Sequence, residues 1–249
     1  MDNDVLDAAS AIWSQRYSGA AVVFAAGSLV RGEGTAYSDL DLVVVYSALP
    51  CAYRESFTFQ RLPVEAFVHD PETLEYCSVE MDRASGIPVL PQMVLEGREI
   101  PDPTGLSRML KARAAALINA GPPPLDSESD RRRRYTVTDL LDDVREWRSS
   151  EELMASGSRL FEELADYHLR SIGHWSARGK AIPRALQRAD SLLCTRYCRA
   201  FQSLFQDGEV GQVIQITEEL LAPHGGLLFD GYRSDAPPSW RTVLTQGEI

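Results

Sequence analysis

The stretch AAVVFAAGSLVRGEGTAYSDLDLVVVY, residues 20–46, decides the fold of the N-terminal part of this chain. It opens with a continuous apolar run over residues 20–26, which is typical of a buried central strand. Gly27 and Ser28 interrupt that run, and two further glycines leave room for only a short helix or turn. The valine-rich segment 40–46 predicts a second strand. We therefore expect two strands joined by a short polar connection.

The segments on either side extend this pattern of strands and helices. Apolar residues at helical spacing predict an amphipathic helix over residues 5–17. A third strand is predicted over residues 62–68, and a short edge strand at residues 99–100. The segment 71–95 contains prolines that break it, so it is predicted to be helical in pieces.

From residue 104 onward the sequence predicts helices alone. Thr104 is a suitable N-cap for a helix over residues 104–120. The later predicted helices cover residues 126–147, 151–172, 189–205 and 210–221. The predicted fold class is therefore α+β: a mixed sheet with flanking helices over residues 1–103, then an all-α helical bundle over residues 104–249.

The chain carries 36 acidic and 25 basic residues, which gives a formal net charge of −11. This balance argues against general nucleic-acid binding, for which a basic face supplies most of the affinity. An acidic cleft attracts a cationic small substrate, although acidity also serves solubility alone. The basic run 131–134 is flanked by acids, which predicts a solvated or salt-bridged face. With no membrane-length apolar run and an acidic N-terminus unlike a signal peptide, we expect a cytoplasmic protein.

Three carboxylates fall on the predicted strands in a pattern that suits metal binding. Asp39 and Asp41 stand at i and i+2, so both point to one face, about 7 Å apart at the backbone. Glu65 on the third predicted strand can supply another oxygen to that face. Mg²⁺ prefers carboxylate and phosphate oxygens, and two such ions promote displacement at phosphorus. Gly27 permits a tight turn close to phosphate, and Ser28 adds a hydroxyl donor.

Each of these features alone is unspecific, but their order and spacing resemble a known signature. The residues that carry the resemblance are Gly27, Ser28, Arg31, Ser38, Asp39 and Asp41. They resemble the nucleotidyltransferase superfamily related to DNA polymerase beta, in which Gly-Ser or Gly-Gly precedes an Asp-x-Asp/Glu pair and a third carboxylate follows on a later strand. Many relatives have aspartate at that third position, so Glu55 and Asp70 remain alternatives to Glu65.

The resemblance implies a nucleotidyltransferase that uses Mg²⁺ and ATP, or another nucleoside triphosphate. Asp39, Asp41 and Glu65 would then be the catalytic and metal-binding residues. The nucleotide contacts implied by the same resemblance are Gly27, Ser28, Arg31 and Ser38.

A helical domain after the first domain resembles the antibiotic-modifying, aminoglycoside-type members of the superfamily. In those enzymes the acceptor binds between the two domains, and a carboxylate of the second domain acts as general base. This resemblance implies that Lys180 and Arg184 reach the phosphates of the nucleotide. The sequence does not choose the base among Glu146, Glu162, Glu163 and Asp166.

The leading hypothesis is an enzyme that moves AMP from ATP to a hydroxyl of a small molecule, with an aminoglycoside-like acceptor, as in antibiotic resistance, as its specific form. Its partners would be a nucleoside triphosphate and this acceptor, without a membrane or nucleic acid. Two alternatives stay open: a protein AMP-transferase of the minimal nucleotidyltransferase–antitoxin type, and a non-catalytic nucleotide-binding sensor. The oligomeric state also stays open, with a homodimer as one option.

Overall fold

The computed structural model describes residues 2–241 and forms two compact units. The first unit comprises the chain up to Pro123 together with Gly173–Ser176. The second unit comprises Pro124–Ile172 and the residues from Ala177 onward.

A mixed five-stranded sheet forms the centre of the first unit. Its strands are β1 (Val22–Ala26), β2 (Leu40–Val45), β3 (Tyr53–Phe59), β4 (Leu62–His69) and β5 (Arg98–Ile100). Their order across the sheet is β3-β4-β2-β1-β5. Strands β2 and β4 run parallel, and the other neighbouring pairs run antiparallel. The mixed sheet predicted from the sequence is therefore confirmed, with β2 between β1 and β4.

Strand β3 has no counterpart among the predicted strands, so Glu65 lies on the fourth strand of the chain and not on the third. Strand β3 contains the charged residues Arg54 and Glu55. Only alternate positions along it, from Glu55 onward, are partly buried. Gln60 and Arg61 form the turn to β4 with positive φ angles of 48° and 74°. Glycine or asparagine usually marks such a turn, so no turn signal followed this edge strand, and its alternating pattern is weak.

Helices cover both faces of the sheet. Helix α1 (Asp2–Arg16) packs on one face, where Leu42 and Ala66 are buried. The connections include three short helical segments: α2 (Gly27–Val30), α3 (Pro71–Tyr76) and a π-helix (Cys77–Arg83). Helices α4 (Val89–Glu96) and α5 (Gly105–Ala120) pack on the opposite face, where Phe24 and Val43 are buried. Alternate residues of the central strands therefore enter two separate cores.

Helix α5 extends the first unit beyond residue 103, at which the predicted nucleotidyltransferase domain ends. Its Leu110 and Ala114 belong to the core on the sheet face opposite α1. Thr104 caps this helix as predicted, because its hydroxyl accepts a hydrogen bond from the Ser107 N–H at 3.0 Å. The compact unit therefore includes this helix and Gly173–Ser176, which lie beyond the predicted domain.

The second unit contains five α-helices and no strand among its described residues. They are α6 (Ser127–Arg145), α7 (Ser150–Ser171), α8 (Ile182–Ala189), α9 (Ser191–Asp207) and α10 (Gly211–Leu221). Their apolar faces share one core, in which Leu160, Leu164 and Leu204 are fully buried. The predicted helical bundle is therefore confirmed.

The basic run at the start of α6 forms ion pairs within the second unit, one with a flanking acid and one with an acid of α7. Arg133 pairs with Asp166, and the Arg134 guanidinium lies 3.7 Å from Asp130. Residues 242–249 of the predicted helical domain lie outside the described residues. Within the described part of the chain, every helix is too short or too polar to cross a membrane.

Candidate metal and nucleotide site

The three predicted carboxylates come together at one face of the sheet. Asp39 directly precedes β2, Asp41 is the second residue of β2, and Glu65 lies on β4. The parallel register pairs Asp41 with Glu65, so these two side chains leave the sheet on the same side. One carboxylate oxygen from each of the three residues lies within 4.8 Å of the other two, and all three are half-buried.

The alternation of β2 explains why these acids share a face. Leu40 and Leu42 point into the core beneath α1. Asp41 and Val43 point to the opposite face, where Val43 is buried beneath α4 and α5. Asp41 lies toward the beginning of the strand, where its side chain keeps access to solvent. Because side chains alternate along β2, Asp41 can face away from the core beneath α1 while the strand keeps its hydrogen bonds to β1 and β4 without a break.

Gly27 makes room for the Asp41 carboxylate. It follows β1 directly, and the register pairs its neighbour Ala26 with Asp41. A Cβ on Gly27 would lie 2.0 Å from Oδ2 of Asp41, which is far inside van der Waals contact. Gly27 also has a φ of +83°, a conformation that side-chain-bearing residues rarely adopt. The sequence predicted glycine for a close approach to phosphate, and the structure shows the close approach to a carboxylate.

The predicted hydroxyl residues join the loop that leads to Asp39. The Ser38 hydroxyl accepts a hydrogen bond from the Thr35 N–H at 2.9 Å. The Ser28 hydroxyl donates to the Ser38 hydroxyl at 3.3 Å. Ser28 and Ser38 thus connect the beginning and the end of the loop, which holds Asp39 next to the end of β1.

The predicted cationic residues lie in different places. Arg31 pairs with two carboxylates of the first unit, Glu33 at 3.2 Å and Glu96 at 3.4 Å. Lys180 and Arg184 are exposed residues of the second unit. Contact of these three residues with a nucleotide therefore stays a prediction.

Glu55 and Asp70, the two alternatives for the third carboxylate, bind other groups of the first unit. Glu55 accepts hydrogen bonds from Arg16 and Tyr17, and the Arg16 guanidinium in particular lowers the pKa of Glu55. Asp70 is the N-cap of α3, where the hydrogen bond from the Thr73 N–H lowers the pKa of Asp70. Of the three acids considered, Glu65 is the one that the structure places beside Asp39 and Asp41.

Arg54 is a residue of this site that the sequence did not indicate. Its guanidinium donates to Oε1 of Glu65, and its Cζ lies 4.9 Å from the centre of the Phe67 ring. Arg54 lies on β3, and without a prediction of that strand nothing connected it with Glu65. The alternation of polar and apolar residues over Tyr53–Phe59 is the signal that could have revealed it.

The donor set fits a divalent cation of the magnesium type. Three carboxylates supply only oxygen ligands, which Mg²⁺ prefers, and they leave further positions for water or phosphate oxygens. Their mutual repulsion at this distance is relieved when a cation binds between them. The space that Gly27 leaves for Asp41 fits the same purpose, since a larger residue would displace one of the ligands.

Comparison with known proteins agrees with this geometry. Residues 6–68 match the family model described as the nucleotidyltransferase domain, and this range includes Asp39, Asp41 and Glu65. Over these residues the chain is thus similar to the nucleotidyltransferase domain. No curated protein sequence matches the chain.

A crystal structure of a nucleotidyltransferase-like protein from Exiguobacterium sibiricum 255-15 is similar to this chain at 12% sequence identity. The alignment covers 87% of this chain and 74% of that chain, with a TM-score of 0.44.

Proposed function

We propose that this protein is a metal-dependent nucleotidyltransferase that transfers a nucleoside monophosphate, AMP from ATP, to a hydroxyl group of a small molecule. The observation that carries the proposal is the convergence of Asp39, Asp41 and Glu65 beside Gly27, within the part of the chain that matches the nucleotidyltransferase domain. Three carboxylates within 4.8 Å of one another are more than structural ion pairs need, and they suit the cations that accompany a polyphosphate substrate.

The three carboxylates would hold Mg²⁺, one or two ions, together with the nucleotide. When bound, the metal supplies charge neutralisation for the triphosphate and favours the deprotonated form of the acceptor hydroxyl. The loop that Ser28 and Ser38 connect fixes Asp39 relative to β1. In the proposed role, backbone N–H groups of this loop and the Ser28 hydroxyl orient the phosphates.

The proposed reaction is an in-line displacement at the α-phosphorus. The acceptor oxygen forms a bond to the α-phosphorus while the bond to the leaving pyrophosphate breaks, and a carboxylate takes the hydroxyl proton. The acceptor class follows from charge: a chain with a net charge of −11 favours a cationic acceptor such as an amino sugar. An aminoglycoside-like acceptor is the specific form of this proposal.

Pyrophosphate release tests this function. The protein is incubated with Mg²⁺ and each nucleoside triphosphate across a panel of aminoglycosides, other amino sugars and lincosamides, with Asp39→Asn as the blank. We expect release that depends on the acceptor and vanishes in the blank. Equal release by Asp39→Asn would contradict the role of the carboxylates. Metal-dependent ATP binding without release for any acceptor would point instead to a protein acceptor or a sensor.

A further inference from the structure

Arg54 contacts the candidate metal site from the edge strand β3. The β3–β4 register places Arg54 opposite Phe67 and Ser56 opposite Glu65. The guanidinium therefore reaches diagonally along the sheet, across the Phe67 ring, to Oε1 of Glu65. Because Phe67 and Glu65 stand two residues apart on β4, this contact lies on the same sheet face as the three carboxylates.

The Arg54 side chain stays open to solvent while it makes these contacts. Its exposed fraction is 57%, against 25% for the Glu65 side chain. An arginine that rests on a ring face and bonds one carboxylate oxygen can turn away without leaving a buried donor unpaired. The bond between Arg54 and Glu65 is thus one that a stronger competitor for Glu65 can replace at small cost.

We propose that Arg54 exchanges partners when the site is loaded: it pairs with Glu65 in the metal-free protein and with the triphosphate of the nucleotide once Glu65 holds a divalent cation. This inference rests on the proposed function. A divalent cation competes with the guanidinium for the same carboxylate, with twice its charge. The released guanidinium has a planar pair of donors that matches two phosphate oxygens.

If the exchange occurs, a neutral residue at position 54 should raise the affinity for the metal alone and lower the affinity for the polyphosphate. Loss of the guanidinium removes a competitor and a repelling charge, so the metal alone binds more tightly. It also removes an attractive charge, so the polyphosphate binds more weakly. A structural defect of the sheet would weaken both, because the site would lose its geometry for both ligands.

The test measures binding of two simple probes to the full chain. Mn²⁺ binding without nucleotide is followed by electron paramagnetic resonance, and binding of inorganic tripolyphosphate at saturating Mg²⁺ is followed by calorimetry. For Arg54→Gln we expect Mn²⁺ affinity to rise about three- to tenfold and tripolyphosphate affinity to fall roughly tenfold. Arg54→Lys keeps the charge, so its Mn²⁺ affinity stays within about twofold of wild type.

Arg16→Gln is the matched control. Arg16 pairs with Glu55, and its Cζ lies 4.3 Å from the centre of the Phe57 ring, on the opposite face of β3. This variant removes the same kind of contact away from the three carboxylates, and we expect it to change neither affinity.

The outcomes separate this inference from the proposed function. Wild-type protein that binds no Mn²⁺ would overturn both. Wild-type protein that binds both probes, while Arg54→Gln weakens both or changes neither, would overturn the exchange alone. An equal change in Arg16→Gln would also overturn it, since the effect would then not depend on the position of Arg54 beside the three carboxylates.

Discussion

An arginine contacts both a glutamate and a phenylalanine of the β3–β4 hairpin on each face of the sheet, with Arg16 of α1 on one face and Arg54 of β3 on the other. On the face beneath α1, Arg16 pairs with Glu55 and its guanidinium lies over Phe57. On the opposite face, Arg54 pairs with Glu65 and its guanidinium lies over Phe67. The two contacts use the same residue types, yet only the second stands beside two further carboxylates.

The surroundings of the two carboxylates differ in charge balance. Glu55 accepts hydrogen bonds from Arg16 and from the Tyr17 hydroxyl, the latter at 2.6 Å, so its charge is fully compensated. Glu65 pairs with Arg54 and lies beside two further carboxylates, those of Asp39 and Asp41. An ion-paired carboxylate contributes to the stability of the fold, whereas carboxylates that lie close together repel one another until a cation binds between them.

The largest expected effect is the loss of turnover on removal of one carboxylate of the cluster. Asp41→Asn removes one of the three carboxylates, and we expect turnover to fall about 1,000-fold or more because the site no longer holds the metal. The free energy of unfolding should stay the same or rise, since repulsion among the acids decreases. Turnover by the released-pyrophosphate assay and urea denaturation check both parts. Substantial turnover in both Asp41→Asn and Asp39→Asn would contradict the metal assignment.

A second expected effect concerns the space beside Asp41. Gly27→Ala places a methyl group 2.0 Å from Oδ2 of Asp41 at a φ of +83°, and we expect turnover to fall roughly 100-fold. Gly32→Ala is the matched control, because Gly32 has a φ of +73° and no atom within 4 Å of an added Cβ. Both variants should lose about 1 kcal/mol of stability through the backbone conformation. Equal loss of turnover in both would attribute the effect to backbone strain alone.

A third prediction sharpens the comparison of the two glutamates. We expect Glu65→Gln to lower Mn²⁺ affinity about tenfold or more, because a ligand loses its charge. Glu55→Gln should leave Mn²⁺ affinity unchanged, since Glu55 bonds Arg16 and Tyr17 on the other face. Titrations of both variants under identical conditions decide between them, and equal affinities would show that Glu65 does not hold the metal.

The smallest expected effect lies in the pH dependence of stability. Hydrogen bonding from Arg16 lowers the pKa of Glu55 in the folded protein below its ordinary value of 4.5. A lowered pKa stabilises the fold above the unfolded-state value, and this contribution is lost as the pH falls through the folded-state value. Glu55→Gln should therefore cost ~0.5–1 kcal/mol at neutral pH and nothing well below the folded-state pKa. Urea denaturation at both pH values measures the difference, and a cost independent of pH would contradict the ion pair.

The sequence was sufficient for the residues whose position follows from local periodicity. Asp39 and Asp41 could be placed on one face because side chains alternate along a strand, and the register of β2 with β4 brings Glu65 to them. Four of the five helices that the structure describes in the second unit follow from apolar residues at helical spacing, whereas α8 was not predicted. The cap at Thr104 follows from the chemistry of its hydroxyl group.

The features that the sequence did not predict depend on contacts between segments that are distant in the sequence. Strand β3 pairs at the sheet edge with mostly exposed residues, so its backbone pairing, and not its own hydrophobicity, defines it. Arg54 could not be assigned to the site without that strand. Helix α5 has an ordinary amphipathic pattern, and nothing in that pattern states whether its apolar face packs on the sheet or on other helices.

Mn²⁺ titration of the wild-type chain and of Asp41→Asn, followed by electron paramagnetic resonance, tests the metal site most directly. The three converging carboxylates predict saturable binding in the wild type and an affinity at least about tenfold lower in a folded Asp41→Asn variant. Equal affinity in the two proteins, or no saturable binding in the wild type, would contradict the assignment of Asp39, Asp41 and Glu65 as metal ligands.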